Sequence, residues 1–422
     1  MKLAATIAAF LLAASAQAET VLVTADRMVD VLAGRMVEEP AILVIDGRIA
    51  EVGRQGAVSA PADARRIDLP GLTLVPGLID MHTHLTSDPT MQPFEALVRT
   101  DNYWVLVGAQ AGLKMLEAGF TTVRNVGSEN FDDVALKQAI DDGRLTGPRI
   151  VPAAYAIGAT GGHCDSTFFP PSFNSISRGV ADGVEGLRAK VREIRKYGAE
   201  VIKVCATGGV FSRNTEPGQQ QLREEELRAI ADEAHMWGVK VAAHAHGASG
   251  IKAAIRAGID TIEHASFLDD EGIKLARERG TYLVMDIYNT DYTQAEGKKN
   301  GVLEDNLRKD RETADVQREG FRKANAAGVK MVFGSDAGVM PHELAVKQFA
   351  VMVRFGMTPL QALRAATSTA AEALGREKDV GAIAVGRFAD MVAVAGDPTA
   401  DVRLLEQAKV VLKGGAVVAD RR

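Results

Sequence analysis

The stretch REEELRAIADEAHMWGVKVAAHAHG, residues 223–247, holds the unit from which the fold can be read. Leu227, Ile230, Ala231 and Ala234 recur at the spacing of one helical face. Gly238 follows where a left-handed residue closes a helix, since glycine carries no Cβ to clash there. The run Val239–His246 is then strand-like and apolar, and it ends in two histidines.

The same sequence of helix, glycine and apolar strand recurs through the middle of the chain. Strands are predicted at 73–84, 121–126, 149–156, 201–206, 240–246, 261–266, 282–288 and 330–335, with helical patterns at 102–118, 185–196, 223–237 and 313–327. Gly119, Gly198, Gly258, Gly280 and Gly328 punctuate these helices as Gly238 does. Eight units predict a (β/α)8 TIM-like barrel over residues 71–375. The alternative is an open doubly wound sheet, against which stand the count of eight and the lack of a glycine-rich dinucleotide fingerprint.

Both flanks read as short strands. Val21-Leu22-Val23 and Ala41–Ile45 lead to Asp46-Gly47, a hairpin signal, and Met391–Val394, Val410–Leu412 and Gly414-Gly415 repeat the pattern late in the chain. These ends, 19–70 and 376–422, are expected to pair into one small β-sandwich. Residues 1–18 read as a signal peptide: Lys2, an apolar stretch, then Ala16-Gln17-Ala18 as the cleavage site. The product is expected in the periplasm or another exported compartment. A net charge of -6 argues against nucleic acid as a partner, and no later apolar run predicts a membrane span. The two cysteines, Cys164 and Cys205, are read as reduced, partly buried thiols, with a bridge as the alternative. The charged stretch 291–311 reads as a solvated loop, or as a lid.

Polar residues at the strand ends carry the chemistry, because barrel sites lie at the C-terminal rim. Of eight histidines, His82, His84, His244, His246 and His264 end three strands and His163 follows a fourth; Asp336 ends the eighth. Imidazole with carboxylate is the donor set of a transition-metal site. Lys203 lies inside an apolar strand, where a charged amine is costly. Carboxylation by CO2 would convert it to an anionic carbamate able to bridge two metals; pairing with Glu263 or Asp336 is the alternative. His342 reads as structural, and His235 as packing beside Trp237.

The segment Pro76-Gly77-Leu78-Ile79-Asp80-Met81-His82-Thr83-His84 resembles the opening signature of the amidohydrolase superfamily. Gly161-Gly162-His163, Lys203–Val210, His244–Gly247, Gly334–Gly338 and Pro341-His342 make the chain similar to its imidazolonepropionase-like branch, with Xaa-Pro dipeptidases, related carboxypeptidases and ochratoxin-hydrolysing enzymes. The resemblance implies hydrolysis of an amide, as in an N-acyl amino acid or a dipeptide with a free carboxylate. It implies two divalent metals, zinc first, with His82, His84 and Asp336 on one, His244 and His264 on the other, and Lys203 bridging as the carbamate. Asp336 would move the proton, with His264 as the alternative base, and His163 and His246 would hold the carbonyl oxygen or support ligands. Arg213 and Tyr288 are candidates for the substrate carboxylate, with a plain surface position as the alternative for Arg213. Imidazolonepropionase itself uses one metal without the lysine, so Lys203 argues against that activity. A homo-oligomer is implied too, an octamer being one such assembly. Hydrolysis of a cyclic amide, lactone or phosphoester is the alternative within the class, and a non-catalytic metal-binding scaffold the one outside it.

Overall fold

The computed structural model describes residues 19–422, so the expected leader lies outside the described residues. Five strands come first: β1 (Thr20–Asp30), β2 (Arg35–Glu38), β3 (Pro40–Ile45), β4 (Arg48–Arg54) and β5 (Arg65–Pro76). Eight more follow: β6 (Leu78–Thr83), β7 (Phe120–Asn125), β8 (Arg149–Pro152), β9 (Val201–Cys205), β10 (Lys240–Ala245), β11 (Thr261–His264), β12 (Tyr282–Val284) and β13 (Met331–Val332). β14 (Met391–Ala395), β15 (Val410–Lys413) and β16 (Ala416–Asp420) complete the set.

The outer strands pair in the order β16-β15-β14-β5-β1-β3-β4, with β2 on β1. The two flanks of the chain meet where β14 lies antiparallel to β5, Val392 opposite Val75. Hydrogen bonds join these strands from both ends of the chain into one eight-stranded sheet. Val21, Val23, Leu69, Leu74 and Met391 pack on one side of it, while Leu22 and Leu43 pack with Val58 elsewhere, as the period of two along a strand requires. Asp46 and Gly47, at φ 49° and 77°, make the expected hairpin turn between β3 and β4. The single strand read at 73–84 is two, because the chain changes sheets at Gly77, where a Cβ would collide with Thr121.

The middle strands are all parallel but do not form one continuous ladder. They divide into β6-β7-β8 and β9-β10-β11-β12-β13. One seam is bridged where Ile157 N donates to Lys203 O and Cys205 N to Ile157 O, both at 2.8 Å. The other is bridged where Met81 N and Asp336 N, each at 2.9 Å, donate to Phe333 O and His82 O. Both breaks have local causes. Pro152 ends β8 without an N–H and Ala154 turns left-handed at φ 56°, while β13 stops two residues before Gly334 and Asp336 turns at φ 57°.

Helices cover the strands. Tyr103–Glu117, Gly183–Lys196 and Glu224–Met236 fall within two residues of their predicted bounds. The stretch read as a loop or lid is mostly helical, in Asn289–Glu296 and Glu304–Ala326. The second is much longer than its predicted half because its buried face is polar: Asn306 Nδ2 donates to Val210 O at 2.7 Å and Lys309 Nζ to Ser212 O at 2.8 Å. Among the described residues no helix is long and apolar enough to cross a membrane.

Candidate metal centre

The parallel strands bring their C-terminal ends to one rim. Ligand-capable atoms of His82, His84 and Asp336 lie within 4.8 Å of one another, as do those of His244, His246 and His264, and those of His264, Asp286 and Asp336. Lys203 lies between these groups, its Nζ 3.5 Å from His82 Nε2. Asp336 Oδ1 is 3.4 Å from His82 Nε2 and 3.5 Å from His84 Nε2. His264 and Asp336 hold left-handed backbone, φ 66° and 57°. Such conformations cost roughly 1–3 kcal/mol each and persist where the surroundings enforce them.

The electrostatics suit a cation. Burial, then the charge of Lys203 and neighbouring imidazoles, pushes His84 down to about 3. Burial also pushes His82, His244 and His246 well below the usual range. Low basicity favours the neutral rings that ligate metal, and His244 Nε2 is occupied by a bond to Gly208 O at 3.1 Å. Burial, opposed by Glu263 and Asp336, lowers Lys203 to about 8, and burial beside Asp286 raises Asp336 to about 7. Burial by itself would lower His264, but its ion pair with Asp286, 2.9 Å away, prevails and raises it.

Outer partners aim the rings. His82 Nδ1 bonds Glu263 Oε2 at 2.8 Å and His246 Nδ1 bonds Ser266 Oγ at 2.7 Å. The other Glu263 oxygen accepts Arg124 Nη2 at 2.8 Å, and Arg124 is itself anchored on Met81 O and Thr261 Oγ1. Arg124 and Glu263 are both buried, so the carboxylate beneath His82 is neutralised within the protein. Asn289 donates to Asp286 and Asp336, and Gln317 donates to Asp286.

Arg124, Asp286, Asn289 and Gln317 escaped the sequence reading. Asp286 alone had a visible signal, an aspartate beyond the apolar run of β12; the others act from a neighbouring strand interior or from helices. His163 stacks on His244, centroids 4.1 Å apart at 24°. Gly209 makes that approach possible, since a Cβ there would overlap the His163 ring. His342 Nε2 donates to His84 O at 3.1 Å, and His235 pairs with Asp260 away from the cluster. Arg213 is exposed and Tyr288 faces a separate depression with Tyr292 and Leu344, so neither joins the site. The Arg213 backbone N–H donates to Thr167 Oγ1. Cys164 and Cys205 form a disulfide, where free thiols were expected. Cys205 ends β9 beside Lys203, and the seam at Ile157 turns the loop of Cys164 back to it, with Cα atoms 5.9 Å apart.

The cluster forms the floor of a cavity of about 680 Å³, whose walls include Ser87, Glu129, Ser166, Ser175, Phe211 and Val339. Over 416 residues the chain is 30% identical to the ochratoxinase of Aspergillus niger, covering 90% of this chain and 83% of that one. It superposes on the crystal structure of a Xaa-Pro dipeptidase with bound methionine in the active site, with TM-score 0.88 and 34% identity over 94% of this chain and 99% of that one. A prolidase crystallised with N-methylphosphonate-L-proline gives TM-score 0.87 and 32% identity over 96% and 100%. The amidohydrolase family model matches residues 73–418. With its strand ends, its histidine–aspartate groups and this match agreeing, the chain belongs to the amidohydrolase family and is a hydrolase acting on amide bonds.

Proposed function

We propose that the chain is a two-metal amidase that cleaves an N-acyl amino acid or dipeptide bearing a free C-terminal carboxylate, amides of the ochratoxin type included. The observation that carries this reading is the meeting of His82-His84-Asp336 and His244-His246-His264 around buried Lys203. In it, His82, His84 and Asp336 would hold one ion and His244 and His264 the other, with Lys203, as its CO2-derived carbamate, available to both. Zinc suits this histidine–carboxylate set. Bound there, two divalent cations supply Lewis acidity, lowering the pKa of water and polarising a carbonyl.

The chain's own groups do the rest. Asp336 takes the proton of the attacking water and returns it to the leaving nitrogen, with Asn289 fixing its other oxygen. His163 and His246 stand over the cluster to orient the carbonyl. Besides Lys203, no lysine or arginine among the described residues lines the cavity. The substrate carboxylate is therefore met by hydroxyls and imidazole, with Ser166 and Ser175 paired at 2.8 Å on the wall. The ochratoxinase and prolidase relatives support an amide; hydrolysis of a cyclic amide, lactone or phosphoester would use the same floor. The reading also takes the eight units as one (β/α)8 ring, the enzyme as exported after loss of residues 1–18, and its assembly as a homo-oligomer.

Three results are expected. Metal-depleted protein titrated with Zn2+ regains full activity at two equivalents per chain; full activity at one equivalent would overturn the two-metal reading. Mass spectrometry over N-acyl amino acids and Xaa-Pro dipeptides finds the preferred amide in the same preparation. Glu263→Gln is expected to weaken metal retention roughly 10- to 100-fold in a chelator competition, because His82 loses its anionic partner and Arg124 its counter-charge. Parental retention would remove Glu263 from that task.

A further inference from the structure

His163 is the cluster residue with the least scaffold beneath it. Between the seam at Ile157 and the helix Gly183–Lys196, the chain makes one short helical turn, Pro171–Phe173. Two hydrogen bonds hold His163 itself, its N–H to Gln221 Oε1 at 2.8 Å and its Nδ1 to Ser212 Oγ at 3.0 Å. Water entering the cavity can replace both. The covalent anchor is the next residue: Cys164 is bridged to Cys205, the last residue of β9, two positions beyond Lys203. Both cysteines line the cavity, so a small reductant can reach the bond.

We propose that the Cys164–Cys205 disulfide is the positioning element for His163, fixing its ring over His244 in the orientation that turnover uses. The activity arm of this inference rests on the amidase reading; the geometric arm does not. The histidines and aspartates of the metal groups sit on or just past β6, β10, β11, β12 and β13, while Lys203 shares β9 with Cys205, so metal content has to be matched in any comparison. A phosphine opens it in a balanced step: the disulfide, the phosphine and one water give two thiols and the phosphine oxide. Freed of the bond, the loop keeps its hydrogen bonds and the stack of His163 on His244 but no covalent anchor, and displacement of a reacting group by about 1 Å can cost on the order of a hundredfold in rate.

The test compares oxidised enzyme, phosphine-reduced and desalted enzyme, and the Cys164→Ser/Cys205→Ser double variant, each at matched metal content. The first readout needs no substrate: the acylation rate of His163 by diethyl pyrocarbonate, mapped by mass spectrometry. It is expected to rise several-fold on reduction and in the double variant, with the His84 rate unchanged. The second readout is kcat and KM on the preferred amide. Reduction is expected to lower kcat/KM by about tenfold or more, and to add almost nothing in a His163→Ala background, since the two changes act through one group. Unchanged His163 labelling, or a loss that adds in full to that of His163→Ala, would overturn the proposal. A lowered melting temperature with labelling and kcat/KM intact would overturn it too, leaving the bridge a stabiliser. If labelling rises while the oxidised enzyme cleaves no amide, the positioning stands and the amidase reading falls. Should the double variant not fold, the reduced parent carries both readouts.

Discussion

Lys203→Ala is expected to retain the fold, bind one metal equivalent where the parent binds two, and lose at least about a hundredfold in amide turnover. The side chain is buried, and its amine is held at about 8 by desolvation against the pull of Glu263 and Asp336. At pH 7 about a tenth of that amine is unprotonated, far more than for an ordinary lysine, and CO2 attack draws on that fraction. The nitrogen lone pair forms the new bond to carbon, a proton leaves, and the neutral amine becomes an anion with two oxygens. Alanine removes that anion and leaves a cavity beside His82. Formate or acetate can enter it, so partial rescue by short carboxylic acids should accompany the loss. Normal metal content and normal rate in Lys203→Ala would refute the bridging role, and Lys203 would then be a buried amine paired with Glu263 and Asp336.

The second large effect is expected at Asp336. Reloaded to full metal occupancy, Asp336→Asn should fold and bind substrate yet turn over at least about a hundredfold slower, the usual scale for losing a general acid or base. Asparagine keeps one oxygen for the metal and a group near Asn289, but it cannot carry the proton. Burial and the charge of Asp286 hold Asp336 at about 7 in the metal-free protein, and a neighbouring cation would lower that value. The acidic limb of the pH–rate profile should therefore lie below 7 in the parent and vanish in the mutant. A mutant rate within about threefold of the parent at matched metal would free Asp336 of proton transfer. His264, raised by its pairing with Asp286, would then be the base to test.

The strand-end histidines were legible because alternation and barrel direction act through local sequence: His82, His84, His244, His246 and His264 could be placed by counting from apolar runs. Lys203 was legible for a related reason, a charge where the pattern demands none. What lay hidden depends on neighbours distant in sequence. Arg124 serves His82 only because β7 lies beside β6 and Glu263 faces both. Only the first part of the helix Glu304–Ala326 reads as solvated chain, because its buried face there carries Asn306, Lys309 and Asp310, whose partners are backbone carbonyls and side chains of other segments. The disulfide was hidden likewise, since nothing local says that the loop after β8 turns back onto the end of β9. Arg213 and Tyr288 have the chemical type for a carboxylate partner, but Arg213 is exposed and Tyr288 lines a separate depression.

The pairing of β14 on β5 also sets the order in which this chain can fold. Thr73 donates its hydroxyl hydrogen to Gly396 O, 323 residues away, and the strands around them supply the seam of the outer sheet. During synthesis, β5 emerges long before β14 and presents an unpaired, apolar edge while the central units are still being made. Loop closure on that scale is slow, and open strand edges invite pairing with other chains. Nascent chains that stop short of Met391 therefore carry an exposed edge at β5 with no internal strand to cover it, and protection from aggregation arrives only with the last few dozen residues.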